Sequence, residues 1–212
     1  MHTWVLLLVS FGPGLLWLLY FYRLDRGQPE PKALVLRAFL FGSLAVFPAG
    51  LLELPFRSWV SHPSLLGFLM IGVIEEGAKF LAARTATRHQ PAFDELTDGI
   101  FYMASTGLGF AALENLLYVY VFGLQVGVAR AFVATLAHAS FSGLVGAYWG
   151  EAVFGGGRPH LWRGFLMAAA AHGLYDAILS FGFSPLWALL LVYLIYRWVV
   201  SRLAAFRAMM QR

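Results

Sequence analysis

The sequence predicts an all-α fold: a polytopic membrane bundle of about seven transmembrane helices, with the N-terminus outside and the C-terminus cytoplasmic. Three observations carry that expectation. Of 212 residues, 60% are hydrophobic and only 12% charged, and the mean hydropathy of +0.71 lies outside the balance of a soluble domain. Apolar runs of spanning length recur between short segments rich in Gly, Pro and charge. Basic residues gather on alternate loops, which is the pattern that orients membrane helices.

The runs follow one another along the chain. The first, 3–22, has no basic start and no A-x-A cleavage site, and it is too long for a signal peptide, so it reads as a span. After the loop RLDRGQPEPK (23–32) come runs at 33–52 and 64–83, the latter holding LLGFLMIGVIEEGAKFLAA (65–83). Runs at 99–122 and 131–154 precede the loop GGGRPHLWR (155–163), and 164–183 and 186–201 complete the set. About 20 residues cross a hydrocarbon core of about 30 Å, so these spans and their short loops fill the chain. The expectation is a single integral membrane domain over 1–212, with its core helices at about 64–183.

Arg23, Arg26, Lys32, Arg84, Arg88, Arg158, Arg163, Arg197, Arg202, Arg207 and Arg212 fall on one side of this arrangement, which makes that side cytoplasmic. Arg57 lies opposite, and Arg130 opposite reads as an interfacial anchor. Arg37 and Lys79 sit near the inner ends of their helices, where a long side chain can snorkel. The net charge of +4 is scattered, with no basic stripe on a soluble module, which excludes nucleic acid as a partner. The bilayer is the partner instead. Cysteine is absent, excluding a thiol nucleophile, a thiolate metal site and disulfides. Trp4, Trp17, Trp59, Trp149, Trp162 and Trp187 read as an interfacial aromatic belt. Asp98 reads as the N-cap of the fourth span and Glu151 as an inner-edge residue.

Ionisable groups inside the runs are few: Glu75, Glu76 and Lys79 in the third, Glu114 in the fourth, His138 in the fifth, and His172 with Asp176 in the sixth. Such groups are costly in hydrocarbon, by about 2.5–3.5 kcal/mol each on insertion scales, and they normally face a protein interior or a wet cavity. Glu75/Lys79, Phe110/Glu114, His138/Ser142 and His172/Asp176 are each spaced i,i+4, so each helix presents one polar face. Four helices thus offer one candidate pocket. Counting along the runs puts Glu75, Glu76 and His172 about 12 Å from the inner boundary, and Asp176, His138 and Glu114 about 18–21 Å from it.

Burial and mutual repulsion keep two adjacent carboxylates from ionising together, and Lys79 favours one of them as the charged form. An acid and a base side by side suit activation of water, with an imidazole or a metal stabilising the oxyanion of an attacked carbonyl. His138, His172 and Glu76 form a ligand set that suits zinc with one position open. Both versions lead to amide hydrolysis. The same buried groups also suit a proton relay in a transporter, or packing in a non-catalytic scaffold. Against transport, no inverted repeat with matching broken helices is evident. Among hydrolases, HExxH, GxGD and GxSG are all absent.

EEGAK (75–79) looks like EExxK, FAALEN (110–115) like FxxxE followed by Asn, HASFS (138–142) like HxxxS and HGLYD (172–176) like HxxxD. In that order, over about half the chain, they resemble the motifs of PrsW-type intramembrane proteases. The resemblance implies a multi-pass protease of the bacterial cytoplasmic membrane, related to the CAAX prenyl endopeptidase and bacteriocin-processing superfamily and commonly classed as a metalloprotease. Its substrates would be membrane-anchored regulators such as anti-sigma factors. By the same resemblance Glu75 and Glu76 would be the catalytic pair, completed by Glu114, His138, His172 and Asp176, with Lys79, Asn115, Phe110 and Ser142 in support.

Overall fold

Helices α1 (Thr3–Leu24), α2 (Lys32–Glu53), α3 (Leu65–Thr87), α4 (Asp98–Phe122), α5 (Leu124–Ala131), α6 (Val133–Phe154), α7 (Pro159–Ser180) and α8 (Pro185–Met210) follow in chain order, with a 3-10 turn at Leu54–Phe56. This computed structural model describes residues 3–24, 29–56, 58–59, 64–155 and 159–210. Among the described residues there is no strand. Arg26, Arg57, Arg158 and Arg212, four of the basic residues read as orienting signals, lie outside the described residues.

Four helical stretches, Thr3–Leu24, Lys32–Phe56, Asp98–Phe122 and Pro185–Met209, are long and apolar enough to cross a membrane. Helices α3, α6 and α7 are of similar length, at 23, 22 and 22 residues. They are less apolar because they carry the charged and imidazole groups together with many Ala and Gly residues.

The centre of the bundle is α4, packed against α1, α2 and α6, while α3 pairs with α7 and α8 closes on α6. Every residue from Asp98 to Ala112 is buried, so this half of α4 is enclosed by its neighbours on all sides. Two glycines let backbones meet where the polar residues gather. A Cβ on Gly107 would lie 2.7 Å from His138 O, and one on Gly72 would collide with Ala169 O. With hydrogen there instead, α4 closes on α6 and α3 on α7. Side chains add ties between helices: Ser43 Oγ donates to Gly109 O at 2.9 Å, linking α2 to α4.

Several local expectations change. The run at 131–154 overlaps the end of a separate helix, α5, which is short and amphipathic and so leaves little apolar signal. Asp98 lies inside α4 rather than capping it; Thr97 is the cap residue. The Asp98 Oδ2 instead accepts the backbone N–H groups of Asp94 and Glu95 at 2.7 Å each, which folds the preceding loop over the helix start. Trp149 is a core residue, stacked on Phe93 with ring centroids 4.5 Å apart, and Trp17 packs edge-on against Tyr20. The belt reading keeps Trp4, Trp59, Trp162 and Trp187, all exposed. Glu151 contacts Arg202 of α8, tying the end of α6 to that helix.

Candidate active site

Each polar residue of the candidate pocket sits on an apolar helix whose other faces are committed to packing or to lipid, so the polar faces can turn only toward one another. Lys79 is wholly buried and does not snorkel. Its Nζ donates to Glu75 Oε2 at 3.0 Å and to Glu76 Oε1 at 2.9 Å, and it lies 2.8 Å from His138 Nδ1. An ammonium has three donors and no acceptor, so all three are used here. The Phe110 ring covers the same nitrogen at 4.3 Å, a cation–π contact that excludes water from one side.

Glu76 is as buried as Lys79. Its Oε1 accepts from Lys79 and from His172 Nδ1, the latter at 3.0 Å, and its Oε2 accepts from Ser142 Oγ at 3.0 Å. Four helices therefore meet through two side chains, because Glu76 binds partners on α6 and α7 while Lys79 reaches His138 and Phe110. Glu75 is arranged differently. Its Oε2 lies 3.8 Å from His138 Nδ1 and 3.5 Å from His172 Nε2, and it faces a cavity.

The other nitrogen of each ring faces a carboxylate as well. His138 Nε2 lies 2.9 Å from Glu114 Oε2, and His172 Nδ1 faces Glu76. Since Lys79 can only donate to His138 Nδ1, the ring proton of His138 belongs on Nε2, toward Glu114. His172 Nε2 looks out toward Glu75 and toward Asp176 Oδ2, which is 3.8 Å away. The two rings stand nearly perpendicular, with centroids 5.0 Å apart.

A cavity of about 880 Å³ opens beside this cluster, bounded by Glu75, Glu114 and Asp176 at its polar end and by apolar residues of α2 such as Val46, Phe47 and Leu51 along its length. It lies toward the ends of α2, α4 and α7 and the start of α3, so it opens on one side of the bundle.

All six residues expected at the site lie together, and Lys79, Phe110 and Ser142 are in contact with members of the group. Asn115 does not join them: its Nδ2 donates to Thr135 Oγ1 at 3.1 Å, tying α4 to the start of α6. Part of the expected difference in depth came from helix ends, since α3 runs on to Thr87 and α7 begins at Pro159. Two residues escaped the sequence reading. Arg130 is no interfacial anchor but lines the cavity with its Nη2 3.1 Å from Glu114 Oε2, and Glu53 lines the cavity too. Both lie at the ends of apolar runs, where a charge is unremarkable.

The residues present fit a divalent metal by donor chemistry. Glu75, His138 and His172, all buried, each offer one ligand atom, and these atoms lie within 4.8 Å of one another. The carboxylate of this group is Glu75, whereas the sequence pointed to Glu76; Glu76 instead backs His172. Each imidazole has its second nitrogen against a carboxylate, the arrangement that fixes metal-binding histidines. Lys79 Nζ touches Glu75 Oε2 and His138 Nδ1, so it must withdraw for a metal to take all three.

Comparison with known proteins converges on the same chemistry. Residues 30–203 match the model of the PrsW family intramembrane metalloproteases. The chain is 40% identical to Protease PrsW of Geobacillus kaustophilus over 178 residues, covering 81% of this chain and 79% of that one. It is 34% identical to Protease PrsW of Bacillus subtilis over 176 residues, 81% of each chain, and 31% identical to that of Shouchella clausii over 201 residues, 92% and 93% of the two. No solved structure matches the chain. A match over most of the length, with the buried Glu, His and Lys cluster lying inside the matched region, makes this chain a member of the PrsW family of intramembrane metalloproteases.

Proposed function

We propose that this intramembrane protease hydrolyses a peptide bond of membrane-anchored protein substrates in the cavity beside Glu75, with Glu75 as the base that activates water. The observation that carries this reading is the meeting of Glu75 Oε2 with imidazoles from two other helices at the cavity wall. Glu76 is fully engaged by Lys79, His172 and Ser142 and has no free edge for water, so it acts as the buried anchor.

In this scheme the proton of an attacking water passes to Glu75 as its oxygen bonds to the peptide carbonyl carbon. Glu75 then gives that proton to the amine nitrogen as the C–N bond breaks, while His172 Nε2, between Glu75 and Asp176, accepts from the water and orients it. Glu114 holds the His138 ring, and Lys79 balances the paired glutamates. Were a divalent metal held by Glu75, His138 and His172, it would take over the orienting of water from His172 Nε2 and supply Lewis acidity to water or carbonyl, and zinc suits that donor set.

All of α1, α2, α3, α4, α6, α7 and α8 cross the bilayer in this reading, as one membrane domain with the N-terminus outside and the C-terminus in the cytoplasm. A helix of 22 residues, the length of α6, measures about 33 Å, which matches a hydrocarbon core of about 30 Å. The cavity then opens toward the outer side of the bacterial cytoplasmic membrane, where an anti-sigma-type regulator presents its membrane segment. Proton-coupled transport and a non-catalytic scaffold, which the same buried groups would suit, are not favoured beside the family membership.

Comparison of membrane proteomes from cells making the wild-type chain or E75Q tests the proposal. A fragment with a new C-terminus is expected only with the wild type, and reaction of that substrate in H2¹⁸O is expected to place ¹⁸O in the new carboxylate. Equal fragments with E75Q would contradict the assignment.

A further inference from the structure

Arg130 reaches the site by an unusual route. Gly123, with φ of 88°, reverses the chain after α4, and the short helix α5 carries Arg130 back over α4. A φ in that range is readily adopted by glycine alone, so the return path is built into the chain. The guanidinium Cζ lies 3.6 Å from the centroid of the Tyr118 ring, and Nη2 lies 3.1 Å from Glu114 Oε2. The same Glu114 oxygen is 2.9 Å from His138 Nε2. Tyr118, Arg130, Glu114 and His138 therefore form a continuous line of contacts that ends at Glu75.

Each link has a physical task. The ring fixes the plane of the guanidinium, since a cation over an aromatic face is attracted and loses freedom. The guanidinium lies at ion-pair distance from a half-buried carboxylate, offsets its charge and favours the side chain's staying beside it. The carboxylate in turn faces the protonated nitrogen of His138, which leaves Nδ1 directed at Lys79 and Glu75. Without Arg130, Glu114 gains freedom to swing toward the cavity, and the His138 ring loses the partner that selects its orientation.

We propose that Arg130 is a positioning residue for the reaction, acting through Glu114 to fix the ring orientation and tautomer of His138. The role rests on the proposed function only in that His138 serves the reaction; the contacts themselves stand apart from it.

The test uses the full chain in lipid nanodiscs with ¹⁵N-labelled histidine, the His138 ring signals being assigned by their loss in H138Q. The wild type is expected to show a single set of His138 signals with the proton on Nε2. R130Q and E114Q are expected to lose that single set in the same way, and R130K, which keeps one charged donor, to retain it. Y118L, which removes the platform while keeping both charges, is expected to broaden the same signals and remains informative should R130Q fail to fold. With a substrate found by the proteome comparison, kcat is expected to fall about 10–100-fold in R130Q, the usual loss for a residue behind a ligand or base, with KM within about two-fold. Unchanged His138 signals in R130Q and Y118L would overturn the proposal, as would a raised KM with kcat intact, which would make Arg130 a substrate contact. Altered His138 signals in a chain whose wild type cleaves nothing would contradict the proteolytic reading and leave the positioning role standing.

Discussion

Glu76 Oε1 and His172 Nδ1 lie 3.0 Å apart across the contact of α3 with α7, although 96 residues separate them in the chain. This contact, with the Lys79 and Ser142 contacts to the same carboxylate, locks three helices around one buried charge. Glu76 is enclosed while Glu75 reaches the cavity, and the proposed function accordingly gives stability to the first and chemistry to the second.

That division separates the two Gln variants. Glu76→Gln removes a fully buried charge shared by Lys79, His172 and Ser142, whereas Glu75→Gln loses a contact with Lys79 at the cavity wall, and breaking a buried pair costs about 3–5 kcal/mol. Thermal unfolding in detergent is expected to show a clear loss for E76Q and a much smaller one for E75Q.

The close approach of α3 to α7 depends on Gly72, where a Cβ would run into Ala169 O. Gly72→Ala is expected to push the helices apart and separate Glu76 from His172. A displacement of about 1 Å at a reacting centre costs about 100-fold in rate, so cleavage should fall further than the loss of thermal stability explains. Assays of both quantities on one preparation check this.

Metal binding is expected to depend on Glu75, His138 and His172 and to be opposed by Lys79. In equilibrium zinc titrations with a competing chelator, H138Q and H172Q are expected to bind far more weakly than wild type. Lys79→Met removes the cation that touches Glu75 Oε2 and His138 Nδ1 and is expected to bind more tightly. Tighter binding by K79M alongside weaker binding by H172Q distinguishes the internal site from surface carboxylates.

The chain has no cysteine, so single introduced thiols report topology without background. Ser180→Cys, at the cavity end of α7, is expected to react with an impermeant maleimide added outside intact cells. Arg88→Cys, just past α3, is expected to react only after the membrane is opened. The reverse pattern would invert the proposed orientation.

Much of the site was legible because a charge inside an apolar run has few reasons to be there. Glu75, Glu76, Glu114, His138, His172 and Asp176 stood out for that reason, and their i,i+4 companions indicated which way each face turned. Arg130 and Glu53 were not legible, since charges at helix ends are ordinary and only the path of the chain through Gly123 brings Arg130 back. The unequal surroundings of the two glutamates were also hidden. Adjacent residues on a helix differ in direction by about 100°, and only the packing of α3 decides which of them meets the cavity. Trp149 shows a similar limit: a tryptophan near a span end suits an interface or a core equally, and stacking on Phe93 decides.

The central claim is that Glu75, rather than Glu76, activates the water, and it is tested most directly by single-turnover cleavage of an identified substrate in lipid vesicles. E75Q is expected to retain the folded state and lose about 10²–10⁴ in rate, the range set by removing a general base. Cleavage by folded E75Q at a rate near that of the wild type would contradict the account.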